Sequence, residues 1–299
     1  MDSNMPEVFF VRGYMRSGTN WLGRILNLHP DIKSHGEFHF EHFGLAKTRI
    51  DKSVSCFVLE GRKQELDKQY YDFIRRLVIQ FCGTDYKFVG ERTPIGLQAV
   101  LVPNSKYLWI HRAGQDVVVS WFKHIIKIAS KNKDNIHRYR DLASHPEMID
   151  KVKKVVADKN YFDKNNLELL DCEDYFRLIA SKWNARIVND KRFIELTKTK
   201  TELNIDVLEI PYEKLHADTD NERAKIYSFL GADPSIANPL DTETLPGFSK
   251  TILPNQSRGV VGNWVKYFNQ SHARWFEEEA SEALELLGYP SIKTSMLEI

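Results

Sequence analysis

Val8-Phe9-Phe10-Val11-Arg12-Gly13-Tyr14-Met15-Arg16-Ser17-Gly18-Thr19-Asn20-Trp21 is the stretch on which the reading of this chain turns. Residues 8–11 are an apolar run too short for a helix and fit a buried strand. Gly13 follows almost at once. From Thr19 onward, Trp21, Leu22, Ile25 and Leu26 recur at helical spacing until Pro30 stops them. The order is strand, glycine-containing turn, helix. Such a junction favours anions, because free backbone N–H groups converge at the helix start and the helix dipole adds partial positive charge there. Ser17, Thr19 and Asn20 add side-chain donors, and Arg16 adds a fixed charge able to grip a phosphate bidentately.

The same grammar recurs downstream. Phe88-Val89, Tyr107-Leu108-Trp109-Ile110 and Val207-Leu208-Glu209-Ile210 read as strands. Helices are expected from Pro94, around Val118 to Ile126, around Phe176 to Ile187, and along Phe276, Ala280, Leu284 and Leu287. Short apolar strands alternating with helices predict an α/β fold with a mostly parallel central sheet flanked by helices. The 299 residues carry 42% hydrophobic and 28% charged side chains, the composition of an ordinary globular protein. Lys+Arg number 42 and Asp+Glu 41, so a positively coated nucleic-acid binder is not expected. The three cysteines, Cys56, Cys82 and Cys172, are odd in number and lack CxxC spacing, which favours free thiols in a reducing compartment. No apolar run approaches the roughly 18 residues of a membrane span, and the acidic start lacks a basic leader. A soluble, cytoplasmic protein without nucleic-acid or membrane partners is the expectation.

The glycine spacing of the first loop is that of a nucleotide-triphosphate P-loop, but Thr19 stands where that motif needs lysine. The string Arg-Ser-Gly-Thr-Asn-Trp instead resembles the phosphosulfate loop of sulfotransferases that use 3′-phosphoadenosine 5′-phosphosulfate (PAPS). By that resemblance Arg16, Ser17, Gly18, Thr19 and Asn20 hold the 5′-phosphosulfate, and Trp21 lies beside the adenine, with plain core packing of Trp21 as the alternative. A second segment, from Trp109 to Trp121, is similar to the family's 3′-phosphate motif, with Arg112 and Ser120 as the matching residues and Gln115 where an arginine is common. A third, Ser257-Arg258-Gly259-Val-Val-Gly262-Asn263-Trp264, resembles the family's C-terminal glycine loop, in which Arg258 and Gly259 complete the 3′-phosphate pocket. Ser257 and Asn263 depart from its usual Arg and Asp. Tyr212, in Pro211-Tyr212-Glu213-Lys214-Leu215, matches a tyrosine expected to hydrogen-bond the nucleotide.

The resemblance implies a single P-loop-like sulfotransferase domain over residues 1–299. His29-Pro30-Asp31-Ile32 followed by Gly36-Glu37-Phe38-His39 is similar to the protein-tyrosine and heparan 3-O branches, where a glutamate here is the base. Glu37 is thus the expected general base and His39 a neighbouring acceptor-site residue. His39, His35 and His111 are weaker candidates for the base. Gly90-Glu91-Arg92-Thr93-Pro94 is similar to a Glu-Lys-Ser/Thr-Pro segment of the same branches. Arg92, with Arg16, would neutralise the departing phosphate, acting only electrostatically since a guanidinium does not give up its proton.

The implied reaction moves a sulfuryl group from PAPS to a hydroxyl of a carbohydrate, peptide or secondary metabolite, leaving 3′,5′-ADP (PAP), with no metal. A P-loop kinase or NTPase, and a catalytically silent nucleotide binder, are the alternatives. Residues 123–170 are the expected acceptor-side lid; from Lys123 to Lys159 they hold ten Lys/Arg against five Asp/Glu. The family's common dimer motif is not evident.

Overall fold

A computed structural model describes residues 5–54, 60–131, 140–158, 168–199, 204–246 and 259–292. Five strands, β1 (Glu7–Gly13), β2 (Ile32–Gly36), β3 (Phe88–Arg92), β4 (Lys106–His111) and β5 (Asp206–Pro211), form one sheet in the order β2-β3-β1-β4-β5. Every described pairing is parallel. The helices are α1 (Thr19–Leu26), α2 (Glu41–Val54), α3 (Glu60–Cys82), α4 (Gly114–Lys131), α5 (Arg140–Ala143), α6 (Pro146–Ala157), α7 (Glu173–Thr199), α8 (Tyr212–Ala217), α9 (Thr219–Leu230) and α10 (Gln270–Leu287).

The chain divides into two compact units. The first comprises Met1–Tyr14, Gly18–His111 and Asp190–Leu245, and contains the whole sheet. Its pattern follows from the two-residue period of a strand. Phe9 and Val11 point to one face, into a core with Trp21, Leu22, Ile25, Leu108, Ile110, Ile210, Tyr227 and Leu230. Phe10 points to the other, where it stacks on Tyr107 at 5.1 Å. Chain order reverses around β1: β3 lies on one side of it and β4 on the other. Ligands of open parallel sheets bind beyond the carboxyl end of a strand at such a switch point, which here is Gly13.

Arg12 and Glu91 each interrupt an apolar strand with a charge. Both are fully buried, and they pair across β1 and β3 at 2.5 Å. Thr93 Oγ1 donates to the second oxygen of Glu91, while Arg12 also donates to the carbonyl of Val11 and lies 4.9 Å from the Phe10 ring centre. A buried guanidinium–carboxylate pair needs such supporting bonds to offset its desolvation. One expected helix is absent as such. After Pro94 the chain makes only a 3-10 turn at Leu97–Ala99. Asp190 accepts the Leu97 N–H at 2.9 Å and Tyr107 Oη accepts that of Val102 at 2.8 Å. Side chains therefore take the N–H groups that a helix would have needed, and the segment stays extended into β4.

The second unit comprises Met15–Ser17, Arg112–Asn189 and Pro246–Ile299. Its core is aromatic. Trp121 Nε1 donates to Tyr175 Oη at 3.1 Å, Phe122 meets Tyr175 edge to face at 5.6 Å, and Phe176 meets Phe268 at 5.4 Å. α4 begins at Gly114, where a Cβ would lie 2.6 Å from both Phe276 and Trp183.

Candidate functional site

In the first unit the strand–helix junction is built around two glycines. A Cβ at Gly13 would run into the carbonyl oxygen of Ile110 on β4, so no larger residue fits there. Gly18 has φ +103°, a conformation that costs other residues energy, and its open side lies against the Tyr212 ring, where a Cβ would approach Cδ2 to 2.6 Å. Gly18 is also the residue that precedes α1, and no side chain caps that helix. Gly18 has no side chain with which to cap the first-turn N–H groups of α1.

Arg92 sits at the carboxyl end of β3, in register with Gly36 of β2. It donates to Asn20 Oδ1 of α1. A Cβ on Gly23 would lie 2.6 Å from its Nε, and one on Gly36 would lie 2.8 Å from its Cζ. Two glycines on two elements therefore make room for one guanidinium. Burial pushes the Arg92 pKa down, and the nearby charges of Glu37 and Glu91 act in the opposite direction. Glu37 follows Gly36 directly and is exposed, with its Oε2 4.0 Å from His39 Nε2. His39 has φ +54° and donates from Nδ1 to Glu41 Oε1 at 2.9 Å. Glu37, His39 and Arg92 thus stand at one edge of the sheet. His35 is also exposed there.

Trp21 and Tyr212 belong to the core. Trp21 is buried, its Nε1 donates to the Thr244 carbonyl at 2.6 Å, and its ring meets Tyr212 edge to face at 5.1 Å. Its indole N–H and ring are thus both engaged within the protein. Thr19 is buried. His111 is buried at the end of β4, 4.9 Å from the Trp109 ring, and burial together with Lys191 and Lys214 holds its pKa at about 3. A ring so placed stays neutral.

In the second unit, Arg16 has φ +70° and its Nε donates to Ser120 Oγ at 3.2 Å. The two residues assigned by sequence to different phosphates are therefore neighbours. Ser17 is fully buried, and its hydroxyl has no hydrogen-bond partner among the described residues. An orphaned buried hydroxyl in an anion-favouring loop fits a phosphate or sulfate oxygen, which would supply the missing partner. Arg112 is buried and donates to the Val260 carbonyl at 2.9 Å. Gly259 has φ +68°. Arg258 and Ser257 lie outside the described residues. His124, one turn beyond Ser120, is held near pKa 4 by burial and by the charges of Arg16 and Lys127.

Among the described residues, no group of three or more His, Cys, Asp or Glu is placed to hold a metal ion, and no helix is long and apolar enough to cross a membrane. Cys82 and Cys172 are buried free thiols; Cys56 lies outside the described residues. A cleft of about 820 Å³ opens at the amino ends of β1, β3 and β4, between Phe9, Ile79, Phe88 and Lys106, at the opposite sheet edge from Glu37 and Arg92.

Sequence reasoning passed over Arg12, Glu91, Gly23, Gly36 and Asp116. A signal existed for the first two, since each is a charge that directly follows an apolar run within its strand. Gly23 and Gly36 carried none, because what they accommodate is a side chain far away in sequence.

The parallel five-stranded sheet flanked by helices, with a glycine at its switch point, defines an α/β protein. Residues 6–288 match the family model described as a sulfotransferase domain, and the chain belongs to that family. It is 26% identical over 150 residues to a Caenorhabditis briggsae protein named "Putative protein-tyrosine sulfotransferase", a match spanning 44% of this chain and about half, 49%, of that relative. Among solved structures it is similar to mouse sulfotransferase SULT7A1 complexed with PAP, at 16% identity and TM-score 0.46 over 98% of this chain and 89% of that one. The sulfotransferase domain of the Synechococcus PCC 7002 olefin synthase is similar at 16% identity and TM-score 0.46, over 97% and 98% of the two chains.

Proposed function

We propose that this chain transfers the sulfuryl group of PAPS to a hydroxyl of a carbohydrate, peptide or secondary metabolite. An acceptor O–S bond forms as the S–O bond to the 5′-phosphate breaks, the hydroxyl proton passes to Glu37, and 3′,5′-ADP leaves. The observation that carries this reading is the seat of Arg92. Gly36, the residue before Glu37, and the first turns of α1 both border the same guanidinium. That seat supports a reading in which Glu37 as base and Arg92 as cation act beside the start of the anion-favouring helix, the pairing that in-line transfer to a hydroxyl requires.

The roles follow. Arg16, Ser17, Gly18, Thr19 and Asn20 receive the 5′-phosphosulfate, with Ser17 Oγ donating the bond it lacks. Arg112, Ser120, Gly259 and Arg258 take the 3′-phosphate. Arg92 and Arg16 offset charge on the departing phosphate. His39 orients the acceptor next to Glu37. Tyr212 supports Gly18 from below and offers its hydroxyl to the nucleotide. Trp21 lies beside the adenine. The single-domain reading rests on the family match, which runs through both compact units. Residues 123–170, which include α5 and α6 and of which 132–139 and 159–167 lie outside the described residues, serve as an acceptor-side lid whose basic balance favours anionic acceptors. Free cysteines accord with a cytoplasmic setting.

The test is transfer of labelled sulfate from PAPS to an acceptor panel that includes peptidyl tyrosine, suggested by the name of the Caenorhabditis relative. It is run beside nucleotide binding. 3′,5′-ADP should bind far more tightly than 5′-ADP or ATP. The opposite order would point to a P-loop kinase or NTPase, and tight 3′,5′-ADP binding without transfer to any acceptor would point to a silent binder.

A further inference from the structure

Asp116 belongs to none of the roles above, yet both of its carboxylate oxygens are engaged. It lies in the first turn of α4 and is 2% exposed. One carboxylate oxygen, Oδ2, accepts the Gly262 N–H at 2.8 Å and faces Arg112 Nη2 at 3.3 Å. The other, Oδ1, accepts the Trp264 N–H at 3.0 Å. Arg112 Nη2 in turn donates to the Val260 carbonyl at 2.9 Å. Gly262 has φ +72°, so the loop makes a left-handed turn just where its N–H points at the carboxylate. Both oxygens are engaged, both loop N–H groups are satisfied, and the guanidinium is bound on the same side.

We propose that Asp116 is the positioning residue of the 3′-phosphate clamp: it holds Arg112 and the Gly259–Trp264 loop as one rigid piece, and so sets selectivity for a 3′-phosphate that it does not touch. This rests on the sulfotransferase reading of the site. The physical reason lies in preorganisation. A buried arginine with a free side-chain rotamer and a loose glycine loop must lose that freedom whenever an anion binds. A carboxylate that takes two loop N–H groups and one guanidinium removes the cost before the ligand arrives. It also explains why a carboxylate, and not an amide, stands there. Asparagine has one acceptor oxygen, so its NH₂ would face one of the two loop N–H groups, leaving a buried donor unpaired.

The experiment compares wild type, Asp116→Asn and Asp116→Glu. Binding of 3′,5′-ADP and of 5′-ADP is measured by calorimetry, and protection of the Gly262 and Trp264 amides by hydrogen exchange. In Asp116→Asn, 3′,5′-ADP should weaken at least ~10-fold, as expected for a lost hydrogen bond to a charged group. The 5′-ADP affinity should change less than ~3-fold, within the scatter of remote effects. Amide protection should fall with it. Asp116→Glu keeps the charge and both acceptors and should recover part of the ratio; it also carries the test if the asparagine variant does not fold. Equal weakening of both nucleotides, or unchanged protection, overturns the proposal, since a merely structural aspartate would do the former. A wild type that does not prefer 3′,5′-ADP overturns the parent reading instead, and the exchange data then still decide whether Asp116 pins the loop.

Discussion

Arg92 shows how a charge can be committed to one place by what is missing around it. Gly23 and Gly36 leave the volume that its guanidinium fills, and Asn20 supplies the acceptor. Arg92→Ala should therefore reduce turnover by roughly 100-fold or more, the usual effect of removing one donor from a transition-state clamp. Arg92→Lys, which keeps a point charge without the planar fork, should retain more; equal turnover of the two variants would remove Arg92 from the chemistry. Glu37→Gln should lose at least ~100-fold in turnover on general-base grounds while leaving 3′,5′-ADP affinity unchanged. Steady-state kinetics beside equilibrium binding separates the two effects. Glu91→Gln addresses the buried pair instead. It strands Arg12 without its counter-charge, and a loss of roughly 3–5 kcal/mol in denaturant unfolding is expected. At this scale the sequence was informative where chemistry lies in the residue type. Arg16 and Ser17 could be singled out because the strand–turn–helix pattern that marks their loop is local in sequence. Asp116 could not, because the N–H groups it serves lie about 150 residues away and belong to the backbone, which leaves no trace in residue identity.

Elements were legible where their apolar residues ran together or recurred at a regular spacing. β1, β3, β4 and β5 stood out as apolar runs, and α4 and α7 as stripes of Val, Ile, Phe and Trp. α2 and α3 did not, and the reason is physical. Much of α3 is solvent-facing, with Leu66, Phe73 and Phe81 exposed, so the contrast between its faces is weak. The segment after Pro94 misled in the opposite way, since its apolar residues are buried as an extended strand approach and not as a helix face. Packing around α4 gives a prediction at this scale. Gly114→Ala would press a methyl group against Trp183 and Phe276. Overpacking of this kind costs about 1–3 kcal/mol, so the melting temperature should fall although alanine is the better helix former. A variant as stable as wild type would mean that these aromatic rings move aside freely.

For the molecule as a whole, pH is the variable that reaches both compact units. His111 in the first and His124 in the second are held neutral, near pKa 3 and 4, chiefly by burial. In the unfolded chain both return to the ordinary histidine value near 6.5. Above pH 6.5 neither state binds the proton and stability is complete. As pH falls below it, the unfolded chain takes up protons that the folded chain refuses, and stability declines until the folded rings titrate. Each histidine carries on the order of 3 kcal/mol in this way. Thermal unfolding should thus shift markedly lower between pH 7 and pH 4.5, and His111→Gln should flatten part of that slope. A slope unchanged in both His111→Gln and His124→Gln would place the acid sensitivity elsewhere.

Gly23 has a consequence for anyone who engineers this protein. It is a glycine inside a short helix, and helix propensity alone ranks its replacement by alanine as a gain of about 1 kcal/mol. Its hydrogen, however, borders the Arg92 guanidinium, and a methyl group there would stand 2.6 Å from Nε. A thermostability campaign would select this substitution early and would displace the Arg92 guanidinium that sits near Glu37. The position is a trap for any score that counts helix formers and not the space they leave.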